Sequence, residues 1–205
     1  MARYRGGHFN PAVTIGVLAA GAMRAGEAIG YIISQLVGGV IGALLLAAVL
    51  GGTATGLGTP ALAHDLALGH ITVTITPGIG FVIEAVLAFF LVTVVLETAV
   101  AGRAGNLAPL AIGMTLTLNI MMGGPLTGAP FNPARALGPM IATGDLSNAW
   151  LYVAAPIVGA LVAAKSADDL AAFLSNTPDA KPIPAVAGAS EPAATATAMG
   201  YTAVQ

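Results

Sequence analysis

The stretch "GAPFNPARALG", Gly128 to Gly138, repeats the heart of an earlier one, "GGHFNPAVTIG", Gly6 to Gly16, so Phe-Asn-Pro-Ala occurs twice in one chain. Asn is a favoured N-cap. Pro fits the first helical position because its missing N–H has no intrahelical partner there, and Ala is the strongest helix former. Each box therefore opens a helix. The apolar runs that follow, Pro11 to Met23 and Pro133 to Thr143, are too short to cross a bilayer, which takes about 20 residues, but suit a re-entrant half-helix.

The rest of the chain has the composition of a protein that lives in lipid. Of its 205 residues 57% are hydrophobic and 8% charged, with a mean hydropathy of +0.88, against about 25% charged in soluble domains. Four long, nearly uncharged stretches are candidates for full crossings: Ala28 to Leu50, Gly78 to Leu96, Leu107 to Met122 and Ala149 to Ala164. They lack the period-two alternation of a barrel strand, so the expected class is an all-α membrane protein. With no cysteine, neither a disulfide framework nor a thiolate metal site is expected, and no cofactor. The opening "MARYRGG" has no apolar core, so a secretory signal is not expected there. A net charge of −2 argues against a nucleic-acid partner. Beyond Ser175 the chain turns rich in Ala, Pro and Thr, and 176–205 reads as a disordered tail.

After Asn132 come a half-helix and a full span, and after Asn10 comes the same pair. Two full spans precede Asn132, but only nine residues precede Asn10. Read as an inverted repeat, the chain is a channel-like domain over 1–175, with a partial first repeat (1–50) lacking its two leading helices and a complete second one (78–166). With Met1 in the cytoplasm, Arg3, Arg5, Arg24, Arg103, Lys165 and Lys181 all fall inside, while Gly51 to Pro77 outside has no Lys or Arg. Six of the seven basic residues thus obey the positive-inside rule and put the C-terminus in the cytoplasm. The exception, Arg135, falls in the second half-helix, where a charge marks a functional site.

Half-helices entering from opposite faces would bring two positive N-termini to the midplane and aim the amides of Asn10 and Asn132 into a cavity. A water molecule there must turn its oxygen to those donors, which interrupts its hydrogen-bonded file, and the positive field repels cations. The paired boxes (Asn10, Pro11, Ala12 and Asn132, Pro133, Ala134), Gly6 to Phe9 before the first, Arg135 after the second and Gly138-Pro139 beyond resemble the aquaporin (major intrinsic protein) family over about Gly6 to Ala164. The resemblance implies a homotetramer of separately conducting protomers in the plasma membrane. It implies an outer filter that includes Arg135, and loop-bracing roles for Gln35 in "YIISQLVGG" and Glu84 in "GFVIEAVLAF". Aligned on the second box, Ile120 takes the place where water-strict members have histidine, and Ala129 the small loop position. Ile120, Ala129 and Arg135 together resemble the filter of the plant tonoplast type, which brings urea, ammonia or similar small neutral solutes beside water as permeants; glycerol is kept among the expected solutes, although glycerol facilitators typically carry Asp after the filter arginine, where this chain has Ala136. Against a simple water-channel assignment, only Tyr152 of the usual aromatic pair in the last span is present, followed by Val153.

His8 reads as a loop-bracing residue, with pH sensing as the alternative. His64, Asp65 and His70 read as a solvated outer loop rather than a metal site. Gly38 and Gly42 form a GxxxG pair suited to close helix packing. No arrangement suggests catalysis. The expected function is a passive, proton-excluding channel for water and small neutral solutes. The alternatives are a non-conducting remnant or assembly subunit and, from the same broken-helix architecture, a secondary transporter.

Overall fold

In a computed structural model that describes residues 6–176, the chain is a predominantly helical membrane protein whose two re-entrant half-helices belong to an inverted repeat. Of the tail expected at 176–205, Asn176 instead ends the last helix, and the remainder, Lys181 included, lies outside the described residues, as do Arg3 and Arg5. The half-helix α1 (Pro11–Ala19) is followed by the spanning helix α2 (Ala25–Leu50). A connection follows with a 3-10 turn (Gly56–Gly58) and a small antiparallel hairpin, β1 (Leu66–Leu68) with β2 (Ile71–Val73). Then come α3 (Pro77–Val94), α4 (Ala108–Thr127), the half-helix α5 (Pro133–Thr143) and α6 (Ala149–Asn176). The hairpin is the one departure from an all-α reading among the described residues. It is built by β-branched Ile71, Thr72 and Val73 across a turn at Gly69, whose φ is +64°.

Local chemistry sets the helix ends. Asn10, Thr76 and Asn132 cap α1, α3 and α5 with side-chain oxygens, each before a proline. Gly51, Gly128 and Gly144 close α2, α4 and α5 in the left-handed conformation that costs glycine least. Several expected bounds shift. The first half-helix stops at Ala19 rather than Met23, because Gly21 turns the chain at φ +69°. The second keeps its expected limits. The third span carries on past Met122 to Thr127, with Pro125 accommodated in its last turn, and the fourth runs on past Ala164 to Asn176. α3 ends in a wider π-helical turn, Val95–Val100, where Glu97 pairs with Arg103 in the next link.

Helices approach closely where side chains are absent. The most extensive interhelical contact is α3 with α6, where a Cβ on Gly159 would strike the carbonyl of Ala85. Gly16 and Gly138 stand six residues after their respective asparagines. A Cβ on Gly16 would lie 2.5 Å from Val92 and 3.5 Å from the Ala160 carbonyl, and one on Gly138 would strike the carbonyl of Gly39 in α2. The glycine of α2 that makes the close contact is therefore Gly39. Gly38 and Gly42, expected to pack, face open space, since α5 touches the helix one residue further round. Between α1, α3 and α6 lies an apolar core around Val17, Val92 and Ala163, and a second cluster joins Met140, Leu151 and Tyr152 to Leu62 and Ile75 of the long connection.

Gly39→Ala would place its methyl 2.5 Å from the Ala134 carbonyl, overpacking that costs about 1–3 kcal/mol, whereas Gly38→Ala meets nothing. Thermal unfolding in detergent should show a lower midpoint for Gly39→Ala and an unchanged or slightly raised one for Gly38→Ala.

Candidate functional site

The two half-helices meet at their N-termini, and each asparagine holds the other's loop. Asn10 accepts from Ala12 N–H at 2.9 Å through Oδ1 and donates through Nδ2 to the Phe131 carbonyl at 3.0 Å. Asn132 accepts from Ala134 N–H at 3.0 Å and donates to the Phe9 carbonyl at 2.9 Å. A primary amide has two N–H donors. One on each asparagine is engaged in this way, which leaves a second for the space beside the junction.

Polar side chains from the spans hold the loops in place. Gln35 of α2 donates to the His8 carbonyl at 2.7 Å and to the Thr14 hydroxyl at 3.0 Å. The Thr14 hydroxyl in turn donates to the Asn10 carbonyl at 3.1 Å. His8 stacks on Tyr31 at a centroid distance of 4.4 Å, and its Nδ1 lies 2.8 Å from Thr14 Oγ1. On the other side Glu84 of α3, fully buried, accepts from the Thr127 hydroxyl at 2.6 Å and from Phe131 N–H at 2.7 Å. These bonds hold an unusual backbone: Ala129 and Phe131 lie at φ +40° and +30°, conformations that side chains disfavour and that persist where the surroundings over-determine them.

A cavity of about 290 Å³ opens at the junction, lined by Phe9, Asn10, Asn132, Ile120, Ala129 and Arg135 and continuing along apolar Leu91, Val95, Ile112 and Leu116. Ile120, Ala129 and Arg135 thus line the same cavity as Asn132 and the far earlier Asn10. The Arg135 guanidinium donates to the Gly58 carbonyl at 2.9 Å, so the 3-10 turn of the long connection steadies it. Pro11, Pro133 and Ala134 are buried at the helix starts, as is Ala12. His64, Asp65 and His70 stay exposed, away from this junction.

The first loop is less covered than the second. Phe131 is 2% exposed and Phe9 81%. Beside Phe9 a wider cavity of about 730 Å³ runs along α2 past Tyr31, Ser34, Gly38, Gly42 and Leu46 and reaches Asn132 and Arg135.

The family model for "Major intrinsic protein" matches residues 1–166. The chain belongs to this family. Among curated relatives it is 39% identical over 160 residues to "Aquaporin NIP1-2" of Oryza sativa subsp. japonica, covering 78% of this chain and 51% of that protein. It is 38% identical over 163 residues to "Nodulin-26" of Glycine max, covering 78% and 55%, and 38% identical over 161 residues to "Aquaporin TIP2-1" of Arabidopsis thaliana, covering 77% and 60%. The chain thus spans between about half and three-fifths of the length of these relatives. The aquaglyceroporin from Plasmodium falciparum superposes with a TM-score of 0.66 at 23% identity, covering 82% of this chain and 74% of that one, and shares the fold. Within the family fold, the residues that sequence reasoning left out are the partners rather than the boxes: Thr14, Gly58 and Thr127, whose roles depend on contacts across the chain. Only the placing of Thr14 four residues after Asn10 could have signalled one of them.

Glu84→Ala removes the acceptor of both bonds and takes from the buried Phe131 N–H its partner in α3, a loss of about 1–3 kcal/mol, while the Thr127 hydroxyl keeps the Gly123 carbonyl at 3.3 Å. The unfolding midpoint of Glu84→Ala in detergent should fall accordingly, and that of Glu84→Gln should fall less, because its oxygen can serve Phe131 N–H and its NH₂ can donate to the Thr127 hydroxyl.

Proposed function

We propose that the chain forms a passive transmembrane pore for water and small neutral solutes, with Asn10 and Asn132 orienting the permeant at the midpoint and Ile120, Ala129 and Arg135 forming the narrow outer filter. The observation that carries this reading is the shared cavity: both asparagines and all three filter positions line it. Two helix N-termini abut there, each equivalent to roughly half a positive charge. Donors without acceptors favour a solute that offers an oxygen lone pair, and the positive field excludes cations and protons. The aliphatic side chain of Ile120 in this wall supports passage of urea, ammonia or glycerol beside water. The proposed setting is a homotetramer in the plasma membrane with the C-terminus in the cytoplasm, on the positive-inside count.

The exposure of Phe9 and the open groove along α2 favour a second reading, an assembly subunit that conducts only when another chain covers that side. Irregular backbone is tolerated at membrane depth only where protein or a water-filled cavity surrounds it.

Stopped-flow osmotic shrinkage of proteoliposomes separates the two readings. Under the first, vesicles with the 205-residue chain shrink faster than empty ones and show no proton leak, and Asn132→Asp, which replaces donors by an acceptor, loses most of that flow. Flow equal to that of empty vesicles, from folded and inserted protein, supports the second. Under the pore reading, Ile120→His should lower urea permeability relative to water, measured in the same vesicles with urea as the osmolyte.

A further inference from the structure

Neighbouring residues of α4 look into different surroundings. Ile112, Leu116 and Ile120 line the cavity at the junction, while Met114, Thr117 and Leu118 are exposed away from it. Hydrophobicity does not choose between these faces. α4 carries no charged residue and is apolar nearly all round, and lipid solvates any such face equally. The threonines on either side of Leu116, Thr115 and Thr117, donate to the Ala111 and Gly113 carbonyls one turn back, so either can face lipid or cavity without leaving its hydroxyl unpaired. The rotation of α4 must therefore be set by contact with another helix, and it packs chiefly on α3.

Of the four residues that α4 buries, Ala108, Asn119, Gly123 and Thr127, the last three stand four apart and form one seam. At its C-terminal end the Thr127 hydroxyl donates to Glu84 at 2.6 Å. In the middle Gly123 admits the Leu87 side chain, whose Cδ1 would lie 2.5 Å from a Cβ there. Two turns before Thr127, Asn119, 4% exposed, donates through Nδ2 to the Leu87 carbonyl at 2.7 Å. One pin leaves a helix free to swing about it, whereas two pins about 12 Å apart fix both rotation and slide. We propose that the Asn119 amide is the second pin, a positioning group that fixes the rotation of α4 and so keeps Ile112, Leu116 and Ile120 in the cavity wall in place of the threonines beside Leu116. The bearing of this on which solutes pass rests on the pore reading; the rotation itself does not.

The Leu87 carbonyl lies inside α3 and keeps the helical N–H four residues on, so Asn119→Leu removes the pin without orphaning its acceptor. The chain has no cysteine, and Thr117→Cys therefore provides a single thiol just outside the wall, which a turn of about 100° brings to where Leu116 stands. In membranes holding Thr117→Cys, modification by a small water-soluble methanethiosulfonate should run about three-fold faster when Asn119→Leu is added, the factor that corresponds to an average interhelical hydrogen bond in a membrane. Val86→Cys, on the exposed face of α3, should react at the same rate with and without Asn119→Leu. An unchanged Thr117→Cys rate would overturn the proposal, as would an equal rise at Val86→Cys, which means general loosening and not rotation. In proteoliposomes the urea-to-water permeability ratio of Asn119→Leu should fall below the parent's as Ile120 spends less time in the wall, and a ratio left unchanged overturns the claim on selectivity. If the parent carries neither solute, the pore reading falls while the two thiol rates still judge the pin. Should Asn119→Leu fail to insert, Asn119→Ala removes the same amide and is read by the same two thiols, with the same outcomes overturning the proposal.

Discussion

Everything in the structure depends on forcing two helix N-termini together inside a membrane. Like partial charges face each other there, and the loops leading in expose backbone that lipid cannot solvate. The reciprocal bonds from Asn10 to the Phe131 carbonyl and from Asn132 to the Phe9 carbonyl answer both problems. Each uses a donor of one half to satisfy an acceptor of the other. The asparagines thus act twice, as caps of their own helices and as ties across the junction, a combination that an Ala or Leu in either place would forfeit.

The ties work because the loops are held from outside as well. Gln35 grips the first loop and Glu84 the second, while Gly39 with Gly138, and Gly16 beside Ala160, let the half-helices settle against α2 and α6 at backbone contact. The held backbone includes two residues with unfavourable φ. Ala129 and Phe131 are two of the five non-glycine residues with positive φ among the described residues, and what sustains them lies in the buried hydrogen bonds and close-packed helices around the loop.

Much of this was legible in the sequence because it is local. A cap and its proline declare a helix start within three residues, so both half-helices and their repetition could be read directly, and the second kept its limits. Helix ends were read less well. Lys165, Asp168 and Asp169 look like a terminus, yet Lys165 and Asp169 pair one turn apart and the helix continues among good helix formers to Asn176. Gly38 and Gly42 form a motif by spacing alone, but which face of α2 meets α5 is a tertiary choice, and it fell on Gly39. The hairpin carried a signal in Gly69 and the β-branched run after it, which an overall helical reading passed over. Thr127 and Gly58 were not legible, because each takes its meaning from a partner distant in the chain.

Glu84 has a history as well as a position. Its two donors lie 43 and 47 residues further along, and at about 5–20 residues per second a ribosome needs on the order of several seconds to make them. Until both are made the Glu84 carboxyl of α3 has neither of these partners, and an unpartnered carboxyl is costly in the membrane. The tie from Asn10 waits longer still, 121 residues, for the Phe131 carbonyl. Biogenesis of this fold therefore has an obligatory order, with the half-helix made first being secured only after the second box is complete, and any chain stalled between them presents an orphan acid to the insertion and quality-control machinery.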